Sequence, residues 1–113
     1  MTKLMALTGL LMMAASFSTL AETWKHVALV DTMCSSKVKA DPDKHTTQCA
    51  LACATSGFGI ITADGSYLKF DQAGNSKAVA LLKAAKQPDR IRVTLTGEND
   101  GGTIKVKSLA LDK

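Results

Sequence analysis

The chain has 113 residues and a formal net charge of +4, from 14 lysines and arginines against 10 aspartates and glutamates. The charges are scattered with no run of one sign, so the balance favours anionic surfaces only slightly. The length excludes more than one ordinary domain. A domain this small buries a modest share of its surface and is often reinforced by a disulfide or a metal ion.

The first 21 residues predict a secretory signal peptide. Lys3 gives a positive start, an uncharged apolar run extends to Leu20, and small residues precede a cleavage site before Glu22. The apolar run is short for a membrane span of about 20 residues. The mature protein is therefore expected to be residues 22–113, a single periplasmic or secreted domain of charge +3 once Lys3 is removed, without stable membrane insertion.

The first element of the mature chain is a predicted strand over residues 23–31, TWKHVALVD, whose apolar residues fall on both faces. Such a pattern indicates a strand that is buried on both sides. A polar loop and a short helix are predicted next. The helix begins at Pro42 behind an Asp41 cap, or later at Thr46 or the residue after it. Gly57 is its natural stop.

A hairpin and a second helix follow. The Asp-Gly dipeptide at residues 64–65 is a turn signal between two β-forming stretches, which predicts the hairpin. Residues 74–88, GNSKAVALLKAAKQP, predict a helix that is capped by Asn75 or Ser76 and ended by Pro88.

The last stretch, residues 90–111, predicts a second hairpin. Apolar and polar residues alternate over 91–96 and again from Ile104, on either side of a loop at 98–102. The alternation then changes phase. A bulge near Ser108 is therefore expected, because it would restore the inward face of the strand.

The order of these elements is strand, short helix, hairpin, helix, hairpin. Five strands with a helix between the third and fourth is the order of the OB-fold, a small five-stranded barrel. We therefore predict a mostly β, OB-like domain with two helices, in which the cysteine-containing helix is an insertion between strands 1 and 2. The alternative is an α+β sheet with both helices on one face.

Cysteine and histidine residues mark the candidate site. His45, Cys49 and Cys53 recur every fourth residue in HTTQCALACA, and Cys34 lies shortly upstream. Positions four apart share one face of a helix, so together with Cys34 they would form a three- or four-ligand site. Thiolate and imidazole suit Zn²⁺ or Cu⁺, which makes zinc and copper the candidate ions.

Export favours a different interpretation of the same cysteines, since thiols outside the cytosol are oxidised. A disulfide from Cys34 to either Cys49 or Cys53 closes a loop of about 15 to 20 residues and contributes about 3 kcal/mol in the chain-entropy model. A bridge between Cys49 and Cys53 within one helix has poor geometry. One thiol is then left over. A C-x-x-C motif is missing, which weakens a redox role without removing it.

Four segments, ALVDTMC, HTTQCALACATSGFGI, DGSYLKFDQAGN and IRVTLTG…TIKVKSLAL, resemble a family of small, exported, largely uncharacterised bacterial proteins. That family pairs a D-[ST]-x-C segment with a C-x3-C helix, then a D-G hairpin and a terminal V-x-G…I-x-V hairpin. The resemblance covers nearly all of residues 31–111. It implies export and the joint importance of Cys34, Cys49 and Cys53.

Other chemistry-bearing patterns are weak. The chain lacks a glycine-rich phosphate loop, a nucleophile elbow and an H-E-x-x-H motif. Tyr67, beside Lys69, is expected to be an exposed aromatic that offers a surface for binding, but one aromatic is too little for nucleic acid. The partner is then an unknown envelope protein or a small ligand.

The combined prediction is an exported, non-enzymatic binding or structural envelope protein that is stabilised by a disulfide from Cys34. The alternative is a copper-binding, zinc-binding or thiol-redox protein that uses Cys34, Cys49, Cys53 and His45.

Overall fold

The computed structural model describes residues 20–113, so nearly all of the predicted signal peptide lies outside the described residues. The strands are β1 Glu22–Asp31, β2 Phe58–Ile61, β3 Tyr67–Phe70, β4 Arg92–Asp100 and β5 Thr103–Leu111. The α-helices are α1 Ser35–Val38, α2 Thr47–Ala52 and α3 Gln72–Ala84, and short 3-10 helices span Pro42–Lys44 and Ala54–Ser56. Within residues 20–113, every helix is too short or too polar to cross a membrane.

The five strands form a closed barrel in the order β1-β2-β3-β5-β4, which confirms the predicted OB-like fold. β1 pairs antiparallel with both β2 and β4, and the parallel pairing of β3 with β5 completes the closure. The alternative α+β sheet is wrong, because the sheet closes around its own core. The largest fully buried apolar side chains of that core are Phe58, Ile60, Leu82, Leu95 and Ile104.

The insertion between β1 and β2, residues 32–57, is called the cysteine segment below. It holds more helix than predicted, since α1 and two 3-10 helices accompany α2. Ala28, Val30 and Ile61 form a small buried cluster outside the main core, and Val38 of the cysteine segment packs against it. This packing explains why the end of β1 is buried on both faces, as its sequence predicted.

Helix α3 begins earlier than the sequence predicted. Its cap is Asp71, whose carboxylate accepts a hydrogen bond from the Gly74 N–H at 2.9 Å, rather than Asn75 or Ser76. Gly74 lies inside the helix where the helix backbone closely approaches β5. A Cβ added there would lie 2.5 Å from Val106 Cγ2, so this position requires glycine. The glycine thus serves helix–sheet packing instead of marking a boundary.

The change of phase in β5 is a bulge, as predicted. Thr96 of β4 pairs with Ser108, whereas the next residue, Gly97, pairs with Val106. Lys107 is therefore the extra residue on β5. The bulge keeps apolar side chains on the inner face on both sides of it.

The turn of the second hairpin is tighter than predicted. β4 continues to Asp100, so the turn consists of Gly101 and Gly102 rather than residues 98–102. Their φ angles are +60° and +95°. Both lie in the left-handed region that glycine adopts without a steric penalty.

Candidate functional site

Asp31, the last residue of β1, is fully buried and lies at the centre of the candidate site. Its Oδ1 accepts a hydrogen bond from His45 Nε2 at 2.6 Å, and its Oδ2 accepts one from the Cys34 N–H at 3.0 Å. A buried carboxylate is tolerated where such bonds satisfy it. The two bonds therefore explain why an acidic residue can end an apolar strand, and they fix Cys34 and His45 relative to the barrel.

The predicted stripe of His45, Cys49 and Cys53 along one helix face does not form. α2 begins at Thr47, behind a Thr46 cap whose hydroxyl accepts a hydrogen bond from the Cys49 N–H at 3.1 Å. His45 thus precedes the helix in an extended conformation, and Cys53 follows its last residue. The His45 side chain is only 8% exposed because it is turned onto Asp31.

Cys34 and Cys53 meet beside Asp31. Their two Sγ atoms and a carboxylate oxygen of Asp31 all lie within 4.8 Å of one another. Cys34 belongs to the turn after β1 and Cys53 to the end of α2, so the cysteine segment folds back to bring both thiols to the end of the strand. This group of three donors can hold a metal ion.

Cys49 lies apart from this group. It is exposed on α2, whereas Cys34 and Cys53 are half-buried, and all three are free thiols in the structure. Within residues 20–113, Cys53 is therefore the cysteine that the fold brings to Cys34, and Cys49 is the outlying thiol.

The surroundings of Cys34 disfavour its thiolate. Burial raises the pKa of the Cys34 thiol to about 11, and the neighbouring Asp31 carboxylate and Cys53 thiol act in the same direction. The site thus gathers groups that repel one another when they are ionised. A bound cation would reverse this relation, because a coordinating thiol is deprotonated and its proton is released to solvent.

The sequence assigned neither Met33 nor Asp31 to the donor group. Met33 Sδ lies 3.9 Å from Cys53 Sγ, and Met33 is 64% exposed. Asp31 is the last residue of the predicted first strand, and the sequence suggested that it either caps the following loop or accepts a hydrogen bond from it, as it does from the Cys34 N–H. The signal that both carried is their place in the short run DTMC, which closes an apolar strand with a carboxylate and two sulfurs.

Tyr67 and Lys69 differ in their surroundings. The Tyr67 hydroxyl lies 2.8 Å from Thr32 Oγ1, and burial raises the pKa of Tyr67 to about 12. Tyr67 also packs against the small cluster beneath the cysteine segment, whereas Lys69 is exposed. The tyrosine ring is therefore half-buried and supports the start of the cysteine segment.

Iodoacetamide is expected to alkylate Cys49 well before Cys34 in reduced, metal-free protein at pH 8. Only the thiolate reacts, and a pKa of about 11 leaves on the order of one Cys34 thiol in a thousand ionised. Peptide mass mapping after timed quenching measures both rates, and unfolding in denaturant is the control that should bring them together. Equal alkylation rates of Cys34 and Cys49 in the folded protein would contradict the raised pKa of Cys34.

Comparison with known proteins gives no relative for this chain. No protein-family model matches it, and no match was found among the curated proteins or the solved structures. A function must therefore be argued from the barrel and from the geometry of the donor group.

Proposed function

We propose that this is an exported, non-enzymatic protein that binds a thiophilic metal ion, Cu⁺ or Zn²⁺, through Cys34, Cys53 and Asp31. The observation that carries the proposal is the convergence of these three donors within 4.8 Å at the end of β1. Thiolates are ligands for both ions, and a carboxylate is a further ligand for Zn²⁺. Export rests on the signal sequence predicted over residues 1–21.

His45 has a positioning role in this proposal. Its Nε2–H donates to Asp31 Oδ1, and its side chain is almost fully enclosed. Hydrogen-bonded partners of this kind orient a ligating carboxylate and adjust its basicity. His45 therefore acts on the metal through Asp31, and Cys49, which is exposed and apart, is not a ligand.

The chemistry of Cys34 favours binding over catalysis. A nucleophilic cysteine depends on a lowered pKa, which a neighbouring imidazole or other positive group provides. Here the imidazole of His45 bonds to Asp31, and the pKa of Cys34 is raised to about 11. Such a thiol is a poor nucleophile at neutral pH, whereas a metal ion can still displace its proton.

A second candidate is a disulfide between Cys34 and Cys53, and the proximity of their Sγ atoms is the observation that favours it. An oxidising compartment would favour this bond. The protein would then be a stapled envelope module that binds an envelope protein or small ligand elsewhere, or a thiol-redox protein that alternates between two states. Metal and disulfide exclude each other, because both need the same two sulfurs.

Metal titration of the reduced protein tests the proposal. Zn²⁺ and Cu⁺ affinities are measured by competition with chromophoric chelators under anaerobic conditions. Cys34→Ser and Cys53→Ser are each expected to weaken binding by about 100-fold or more. Removal of a hydrogen-bond partner of a ligand costs up to about 100-fold in metal affinity, and removal of the ligand itself should cost at least as much. Cys49→Ser is the matched control and should stay within about threefold of wild type, because Cys49 is exposed and lies outside the donor group.

The pattern across the variants decides the outcome. Equal, weak binding by the wild-type protein and all three variants would overturn the proposal. A loss in Cys49→Ser equal to that in Cys53→Ser would overturn the ligand assignment. Binding should also fall as the pH is lowered, since protons compete with the metal for the thiolates.

A further inference from the structure

The donor group has a third sulfur at its edge. Met33 precedes Cys34 in the turn after β1, and its Sδ lies 3.9 Å from Cys53 Sγ. Exposed apolar side chains are common on protein surfaces, so the exposure of Met33 decides nothing by itself. Its contact is the informative feature, because it places a thioether beside the Cys53 thiol of the donor group.

The two sulfur–sulfur distances that involve Cys53 suit one metal ion. With metal–sulfur bonds of about 2.3 Å, three sulfurs around one ion lie about 4 Å apart in a trigonal arrangement. The Met33–Cys53 distance is 3.9 Å, and the Cys34 and Cys53 Sγ atoms lie within 4.8 Å of each other. The unbranched methionine side chain is exposed and adaptable, so its thioether can adjust to an ion that is held by the two thiols.

We propose that Met33, Cys34 and Cys53 form a three-sulfur Cu⁺ site, so that the protein prefers Cu⁺ to Zn²⁺. This inference rests on the metal-binding function proposed above and specifies its ion. Thiolate and thioether sulfurs select Cu⁺, whereas structural Zn²⁺ sites use thiolate, imidazole and carboxylate ligands. A Met33 ligand would therefore add affinity for Cu⁺ and little for Zn²⁺.

Asp31 has a supporting role in the Cu⁺ site. A carboxylate is a hard ligand and adds little to a soft monovalent ion. Its Oδ2 accepts the hydrogen bond from the Cys34 N–H at 3.0 Å, so it holds the turn that presents both Met33 and Cys34. The same residue is a ligand in a Zn²⁺ complex and a positioning residue in the Cu⁺ complex.

Met33→Leu tests the inference, because leucine keeps an apolar side chain of similar size and removes the thioether. We expect the variant to bind Cu⁺ about tenfold more weakly or worse, and to bind Zn²⁺ within about twofold of wild type. Both affinities are measured by chelator competition on reduced protein, and circular dichroism checks that the barrel is intact.

The failures of the two proposals are distinguishable. If Met33→Leu binds Cu⁺ as the wild type does, the three-sulfur site is overturned while metal binding stands. If the affinities for both ions fall equally, methionine acts through packing and the selectivity is overturned. If the wild-type protein binds neither ion, the proposed function itself fails.

The sequence also allows a direct spectroscopic test. Four of the five methionines lie within residues 1–21, so Met33 is the single methionine of residues 22–113. Selenomethionine incorporation would then place one selenium in the mature protein. X-ray absorption at the selenium edge should detect copper at bonding distance in the Cu⁺ complex. A spectrum unchanged by Cu⁺ would overturn the assignment of Met33.

Discussion

Oxidation of the protein is expected to raise its free energy of unfolding by about 3 kcal/mol through a disulfide between Cys34 and Cys53. The bridge closes a loop of about 20 residues, which gives this magnitude in the chain-entropy model. In a domain of this size the change corresponds to a rise in Tm of roughly 10–25 °C. The structure brings these two thiols together and leaves Cys49 exposed, so Cys49 should remain free.

Urea denaturation with and without reductant measures this effect, and peptide mapping identifies the bridge. Cys49→Ser should retain the full difference between oxidised and reduced protein, whereas Cys53→Ser should lose it. A denaturation midpoint that reductant leaves unchanged would argue against the bridge, and so would a map that joins Cys34 to Cys49. Under the proposed function, the oxidised protein should also lose metal binding, because the disulfide would consume both candidate thiolates.

Replacement of Asp31 by alanine is expected to destabilise the protein by about 2–6 kcal/mol, because it removes the acceptor of two enclosed donors at about 1–3 kcal/mol each. Asp31 is fully buried, and its side chain satisfies both the His45 imidazole and the Cys34 N–H. Alanine would leave these two donors enclosed without an acceptor, and an unsatisfied buried donor carries its full desolvation penalty.

Asp43→Ala is the matched control. Asp43 accepts a hydrogen bond from Arg92 Nε at 2.8 Å, but the two side chains are 40% and 27% exposed. Water replaces a partner lost at such a site, so a cost below about 1 kcal/mol is expected. Urea denaturation at pH 7 compares the variants. A cost for Asp31→Ala no larger than that for Asp43→Ala would show that the buried pair is not important for stability.

A double-mutant cycle separates the pair from its surroundings. When His45→Leu is combined with Asp31→Ala, the imidazole that would be stranded is removed as well. The double variant should therefore cost less than the sum of the two single variants, with a coupling of about 1–3 kcal/mol. Strict additivity would mean that the contact at 2.6 Å between Asp31 and His45 contributes nothing of its own.

Hydropathy patterning predicted the strands, and the order of the elements favoured the barrel but left an α+β sheet as the alternative. Each strand carries a local signal, such as two-sided burial in β1 or the turn dipeptide at residues 64–65, and the element order then indicated the topology. The bulge at Lys107 was predictable because a change of phase is visible along the strand. The bulge in β1 around His26, where φ is +53°, left no such change and was missed.

The start of α3 and the grouping of residues at the candidate site depend on tertiary contacts, which the sequence alone does not reveal. The sequence placed Gly74 before the helix cap, whereas in the structure it lies inside the helix and packs against Val106. The four-residue spacing of His45, Cys49 and Cys53 predicted the right segment but the wrong grouping, because a buried carboxylate draws His45 out of the helix. Spacing along a chain cannot reveal which distant polar group will compete for a side chain.

All the candidate ligands, and the His45 that bonds to Asp31, lie within residues 31–53, one uninterrupted stretch that leaves the barrel at the end of β1 and folds back beside it. The rest of the domain holds this stretch at several points, since Val38 packs on the cluster of Ala28, Val30 and Ile61 while Ala50 belongs to the main core. The stretch is therefore local in sequence but not self-supporting. A synthetic peptide of residues 31–53 should bind metal much more weakly than the whole domain, and equal affinity would show that the barrel is not needed to shape the site.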